Sequence, residues 1–244
     1  MEFNFKQELK DVPDYWLYVP LDGRKRPNEP EFDPVKGKEV PGYNWQNKPY
    51  TLDEVCTKPK EAIGLHLGPE TNTAAFDFDG PDSTKTFEHH FGFPISVLHK
   101  TLQNTSGRRE HFQMFFKIPK RYHDKIKYKP LSPPPGKNWG KVELRWGHGK
   151  QSVLLGNHPN NKRYNPATGV DEEVEPGAGD GRGYYDFEEG HYPEQVHLAP
   201  LDEWFCHRWV ELVAPKVVIS DRAKADTSKS TDNYSEEALK QHNL

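Results

Sequence analysis

T-A-A-F-D-F-D-G, residues 73–80, is the stretch whose alternation decides how the chain is built. Successive side chains on an extended strand leave opposite faces, so Phe76 and Phe78 share one face while Asp77 and Asp79 share the other. One face therefore needs apolar cover and the other carries two carboxylates. Carboxylates so close repel unless a cation neutralises them, and hard oxygen ligands of this kind suit Mg²⁺ or Mn²⁺. A lone D-x-D also occurs at solvated strand ends, so the pattern acquires meaning only in company.

The company is V-E-L-R-W at 142–146. The same alternation puts Glu143 and Arg145 on one face and Val142, Leu144 and Trp146 on the other. Three acids on two strands, Asp77, Asp79 and Glu143, fit catalysis by two bridged metal ions that activate a hydroxyl and stabilise a departing pyrophosphate. Arg145 shares that face and could either contact phosphate or neutralise a carboxylate. Between the acids lies T-S-G-R-R-E-H-F-Q-M-F-F at 105–116, a basic turn entering a strand with His111, Gln113 and Phe115 on one face. The turn offers the Ser106 hydroxyl, backbone N–H groups around Gly107, and a guanidinium from Arg108 or Arg109 to a triphosphate. An ordinary hairpin turn and a surface histidine are the plain alternatives.

Further out, D-Y-W-L-Y-V-P-L at 14–21 predicts a strand followed by the basic turn G-R-K-R-P. Arg24, Lys25 and Arg26 in that turn are candidates for contact with a nucleic-acid backbone, or form a solvated turn. Thr51 with Glu54 predicts a capping box opening a short helix over 51–61. The runs 63–68 and 73–80, joined by P-E-T-N, predict a hairpin. A helix is expected from Asp82 to about His90, then strands at 95–101, 110–118, 141–146 and 151–156. The segment 160–200 is rich in Gly, Asp and Glu and gives no periodic pattern. A helix at about 201–213 is expected to pack Leu201, Trp204, Phe205, Val210 and Leu212 on the body. These boundaries predict one domain over 1–214 and a polar linker or disordered tail over 215–244.

Composition narrows the class. The 244 residues suffice for a sizeable core, and although the hydrophobic share is only 33%, six Trp and 12% aromatic residues argue for a folded chain. A net charge of −4 excludes a protein that coats nucleic acid by bulk basicity. Any grip on a polyanion must be local. Cys56 and Cys206 are the two cysteines, too few for a zinc cluster or a disulfide framework. The N-terminus is too polar for a signal peptide, and no apolar run reaches membrane-spanning length. A soluble, cytoplasmic protein without a membrane partner is expected.

Taken in order, G-L-H-L-G, F-D-F-D-G, S-G-R-R-E-H-F and E-L-R-W-G-H-G-K-Q-S-V-L-L-G-N-H-P resemble the primase-polymerase domain of the archaeo-eukaryotic primase superfamily. The resemblance covers residues 12–212, and W-L-Y-V-P-L-D-G-R-K-R-P and G-Y-N-W-Q look like that family's N-terminal segment. It implies an α+β fold with a primase-like core, a mixed or antiparallel sheet (an RRM-like catalytic unit) flanked by helices. The family's acid-x-acid motif falls on Asp77 and Asp79, its small hydroxyl residue and histidine on Ser106 and His111, and its later acid on Glu143. With Gly107, Arg108, Arg145 and His158, these would form the nucleotide site. One departure is that Leu155, Gly156 and Asn157 stand before His158 and Pro159, where many relatives carry Pro-Pro-Ser. The resemblance further implies a DNA primase or DNA polymerase activity using nucleoside triphosphates, ribo- or deoxy-, on a single-stranded DNA template and primer. It also implies Mg²⁺ or Mn²⁺ as cofactor and, by analogy, a fused or separate helicase. Two rivals remain: a D-x-D phosphohydrolase with Asp77 as nucleophile, and a non-catalytic single-strand binding module using aromatic platforms.

Overall fold

Apolar strands that alternate with charge must close around a core, and they do so mostly by antiparallel pairing. The computed structural model describes residues 3–28, 30–42 and 44–214, and its strands and helices belong to one unit ending at Val213. The tail predicted over 215–244 lies outside the described residues. In chain order the elements are α1 (Phe5–Glu8), β1 (Tyr18–Leu21), β2 (Pro30–Asp33), β3 (Lys38–Pro41), α2 (Leu52–Cys56), β4 (Ala62–Leu67), β5 (Thr73–Asp79) and α3 (Ser83–Phe91). They continue with β6 (Gln103–Thr105), β7 (His111–Lys117), β8 (Pro130–Leu131), β9 (Lys141–Arg145), β10 (Lys150–Asn157), β11 (Lys162–Asn165), β12 (Val170–Glu173), β13 (Tyr184–Phe187), β14 (Ala199–Pro200) and α4 (Glu203–Val213). The fold is α+β, with few helices.

Ten strands form one sheet in the order β1-β4-β10-β13-β6-β7-β5-β9-β8, with β14 pairing parallel to β7. Along that order β10 and β9 are far apart. Yet Arg145 of β9 donates to Ser152 Oγ of β10 at 3.3 Å, and Ser152 donates to Gln113 of β7 at 2.8 Å. The sheet must therefore curl until β10 faces β5, β7 and β9. Asn104 of β6 pins the curl by donating to the carbonyls of Val153 and Leu154 at 2.9 and 2.8 Å.

The two faces of β5 have separate jobs, as its alternation requires. Phe76 and Phe78 pack with Phe87 and Phe91 of α3, Phe116 of β7, and Phe205 and Trp209 of α4 in one core. Ala75 of the opposite face joins Trp16, Leu65, Phe115 and Leu154 in a second core, filling the inside of the curl beyond the acids. Phe76 is central, making edge-on contacts with Phe87, Phe116, Phe205 and Trp209. Phe76→Ala is expected to cost about 3–5 kcal/mol of unfolding free energy, read by urea denaturation. A loss below about 1 kcal/mol would mean that this face does not organise the core.

Several local expectations meet their physics here. The Thr51 and Glu54 capping box is present, but α2 stops at Cys56 because Pro59 follows within one turn. Gly92 caps α3 in the left-handed conformation, its N–H donating to the Glu88 carbonyl at 2.7 Å. The predicted hairpin of 63–68 with 73–80 is not formed beyond one bridge between Gly68 and Thr73. Both edges of β4 are taken by β1 and β10, and both edges of β5 by β7 and β9. The predicted strand at 95–101 is instead a 3₁₀ turn over Ile95–Val97 launched by Pro94, with pairing resuming at Gln103. On α4 the helical period turns Phe205, Cys206 and Trp209 inward, while Trp204, expected inside, is 45% exposed with its ring edge-on to Phe93. The unpatterned region after residue 160 contains the hairpin β11–β12 and the sheet strand β13. No helix among the described residues is long and apolar enough to cross a membrane.

Candidate active site

Register brings the acids together. β5 lies between β7 and β9, so the sheet face opposite the Phe76 core is a grid of three rows: Phe115, Ala75 and Arg145; Gln113, Asp77 and Glu143; His111, Asp79 and Lys141. Directly opposed residues on antiparallel strands hold their Cβ atoms about 4.5–5.5 Å apart. Asp77 and Glu143 form such a pair, with Asp79 two residues along. Ala75 is small, and Arg145 opposite it extends along the face until its guanidinium lies between the acids. It donates to Asp77 Oδ2, and its Nε lies 3.4 Å from Glu143 Oε2. Of the two roles open to Arg145, it performs carboxylate neutralisation in this structure.

Each acid has its own electrostatic setting. Burial raises the Asp77 carboxyl above the ordinary carboxylate range, and the neighbouring Arg145 opposes that rise without cancelling it. Asp79, at the exposed end of the strand, is lowered to about 2 by the hydrogen bond from His111, whose Nδ1 lies 3.0 Å from Asp79 Oδ1. Glu143 is also hydrogen-bonded by Tyr128, whose phenol is raised first by burial and then by that carboxylate.

Above the grid the curl encloses a cavity of about 400 Å³. Asp77, Asp79, Arg108, His111 and Arg145 contribute to its wall, with Lys25, His158, Lys162 and Tyr185 closing it from other elements. Glu143 does not line the cavity. Four lysine and arginine side chains and two histidines thus surround two carboxylates, a balance suited to a polyanion. Two buried polar atoms on the wall, His111 Nε2 and Gln151 Oε1, have no hydrogen-bond partner, as expected of a site built for a ligand. His111 Nε2 lies 3.3 Å from Asp171 Oδ2 but out of hydrogen-bond alignment.

The basic turn after β6 divides its residues. Arg108 is buried in the cavity wall and paired with Asp171 of β12, whereas Arg109 points away with its guanidinium 5.3 Å from the Tyr164 ring. Gly107 takes a φ of +74° beneath the Arg182 side chain, and its N–H donates to Thr105 Oγ1 at 2.9 Å. Ser106 is buried with an unpartnered hydroxyl and does not line the cavity.

The N-terminal basic turn is split in the same way. Asp22 Oδ1 accepts the backbone N–H groups of Arg24 and Arg26, and its Oδ2 accepts the Arg26 guanidinium at 2.9 and 2.7 Å. Arg24 stays exposed. Lys25, held at a φ of +64°, turns inward and places Nζ 3.1 Å from His158 Nε2 and 3.5 Å from Tyr185 Oη. The Asn160 N–H donates to His158 Nδ1 at 3.0 Å, so a neutral His158 carries its proton on Nε2, facing Lys25. That contact favours a neutral lysine amine. Burial lowers Lys25 to about 8, and burial with the Lys25 charge next lowers His158 to about 3.

Protonation of Lys25 adds a positive charge to the wall, and anion binding draws that proton on. Inorganic tripolyphosphate is therefore expected to bind more tightly as pH falls through about 8, as calorimetric titration would measure. Lys25→Met should flatten the dependence; an unchanged pH profile in that variant would exclude Lys25 as its source.

Gln113 shares a predicted face with His111, and its position follows from alternation. Ser152, Lys162, Asp171 and Tyr185 carry no such signal, because their strands reach the site only through the curl and the β11–β12 hairpin. Among the described residues no three His, Cys, Asp or Glu side chains converge as a ready-made metal cluster. The donor set nevertheless fits a divalent ion. Asp77 and Glu143 share one guanidinium, and their oxygens are ligands of the kind that Mg²⁺ and Mn²⁺ prefer.

No protein-family model matches this sequence, and no curated protein matches it either.

Proposed function

We propose that the chain is a template-directed nucleotidyltransferase, a DNA primase or DNA polymerase of the primase-polymerase kind, joining nucleotides on single-stranded DNA. The observation that carries this reading is the cross-strand pairing of Asp77 with Glu143, on one face with Asp79, beside a cavity ringed by basic groups. An archaeo-eukaryotic primase-like core is the matching fold proposal. It is supported by the antiparallel β6-β7-β5-β9 segment with α3 and α4 on its apolar face and the acids on the other.

Asp77, Asp79 and Glu143 would hold Mg²⁺ or Mn²⁺, which supplies activation of an attacking hydroxyl and neutralisation of phosphate charge. Lys25, Arg108 and His111 bind the phosphates of the incoming nucleoside triphosphate, Lys25 as the ammonium that predominates below about pH 8. Arg108 must exchange Asp171 for phosphate to do so. Arg145 already lines the cavity, and with the ion holding the carboxylates its guanidinium would be free to serve as a further phosphate donor. The Tyr185 and Gln113 wall, with Gln113 held by Ser152, excludes water and keeps the charges in a medium where they act strongly. A fused or separate helicase partner is part of the same proposal by analogy alone.

The test is incorporation of labelled nucleotide on a single-stranded DNA template, with and without primer, in Mg²⁺ and in Mn²⁺. Template-dependent product is the expected result. Release of inorganic phosphate from a simple phosphoester with no polymer would point to a phosphohydrolase. Metal-independent DNA binding with no product would point to a non-catalytic module.

A further inference from the structure

A strand of nucleic acid needs a path to Asp79, and the basic turn at 24–26 offers little of one. Lys25 is committed to the cavity and Arg26 to Asp22. The open cleft beside that turn is lined by Asp22 and Glu61 with Arg24, so acids accompany its single arginine.

The other side of Asp79 is different. A groove of about 320 Å³ runs from Asp79 and Asp171 along Lys137, Asn138, Trp139 and Lys141. It meets the basic cavity at Asp79, which lines both. Lys141 stands opposite Asp79 in register, yet the Asp79 carboxylate goes to His111. Among the described residues neither Lys137 nor Lys141 takes part in an ion pair. Lys137 Nζ lies 5.7 Å from the centre of the half-buried Trp139 ring.

This segment is fixed in place. The Gly140 N–H donates to the Pro81 carbonyl at 2.6 Å, and its carbonyl accepts from Thr86 Oγ1 at 2.7 Å. A Cβ at Gly140 would meet the carbonyl oxygens of Asp79 and Gly80 at 2.5 and 2.6 Å. Glycine therefore permits the close approach that sets Trp139 and Lys141 beside the end of β5. Two ammonium groups that take part in no ion pair among the described residues, one of them over the indole between them in sequence, on a rigid support opening onto an acid, match a chain of phosphates with bases able to stack.

We propose that this groove binds single-stranded DNA, with a base stacked on Trp139, backbone phosphates against Lys137 and Lys141, and the strand end directed at Asp79. Assignment of the strand end to a reacting hydroxyl rests on the nucleotidyltransferase reading; binding in the groove does not. The carboxylates of Asp79 and Asp171 repel phosphate at the inner end, which favours a terminal sugar there over a continuing backbone.

The experiment is an anisotropy titration of the full chain with fluorescent oligo(dT), across a salt series. Trp139→Ala is expected to weaken binding on the order of tenfold, and Trp139→Phe to retain most of it. Lys137→Ala and Lys141→Ala should each lower the log–log salt slope by about 0.7, while tripolyphosphate binding stays unchanged in all of these variants. Wild-type affinity in Trp139→Ala and in both lysine variants would overturn the groove, as would wild-type protein that fails to bind the oligonucleotide. If primer extension proceeds but Trp139→Ala binds normally, the groove assignment falls and the polymerase reading stands. If the substitutions weaken DNA binding in a chain that extends no primer, the groove stands and the polymerase reading falls.

Discussion

Asp77→Asn is expected to reduce templated nucleotide incorporation by on the order of 10³-fold or more, which corresponds to about 4 kcal/mol or more of transition-state stabilisation. The carboxylate is buried between two neighbouring strands, faces Glu143, and lines the basic cavity. Replacement by the isosteric amide removes the charge and keeps the volume, so the strand pairing and the Phe76 face are left as they are. A smaller effect is expected on the binding of DNA in the absence of divalent ions. Incorporation by a folded Asp77→Asn protein at near wild-type rate would remove Asp77 from the chemistry.

Arg145→Ala should destabilise the fold by about 3–5 kcal/mol in the absence of divalent ions, because it leaves a buried carboxylate without its partner. The loss should also depend on pH in a definite direction. Burial already raises Asp77 above its ordinary value, with Arg145 opposing, and removal of Arg145 lifts it further. A carboxyl that is harder to ionise in the folded state favours folding most below its unfolded pKa and gives up that contribution as pH rises through the folded value. Arg145→Ala should therefore lose stability from mildly acidic pH towards neutrality more steeply than wild type. Saturating Mg²⁺ or Mn²⁺ should restore more stability to the variant than to wild type; an ion present at a hundred times its Kd contributes about 2.7 kcal/mol. Thermal denaturation with chelator and with metal measures both effects. Equal metal response in the two proteins would mean that Arg145 and the ion do not compete for the same carboxylates.

The sequence makes the faces of β5 and β9 legible because side-chain direction in a strand has a period of two, so Phe76 against Asp77 and Val142 against Glu143 leave little choice. It does not contain the register. That Asp77 meets Glu143 follows from how β9 slides along β5, and that depends on the whole sheet. Short apolar runs are also ambiguous: Ile95 and Val97 have strand-forming side chains, but Pro94 launches a turn in which Ile95 packs on the core without pairing and Val97 stays exposed. The inward course of Lys25 was illegible because it depends on a left-handed backbone fixed by Asp22, in a turn whose composition reads simply as basic and solvated. Asp171 and Tyr185 lie in a stretch without periodicity, and only folding brings β12 and β13 over the acids. Fold class and the acid face come from local pattern, whereas the cavity that gives the acids a substrate is made by non-local strands.

Manganese binding tests the central claim most directly. Titration of the protein with Mn²⁺ in the presence of a non-hydrolysable nucleotide, followed by electron paramagnetic resonance, should show bound ion in wild type. The same titration of Glu143→Gln and Asp77→Asn should show that affinity lost or weakened at least tenfold. Mn²⁺ bound equally well by all three proteins would contradict the account, since the carboxylates of β5 and β9 would then have no ion to hold.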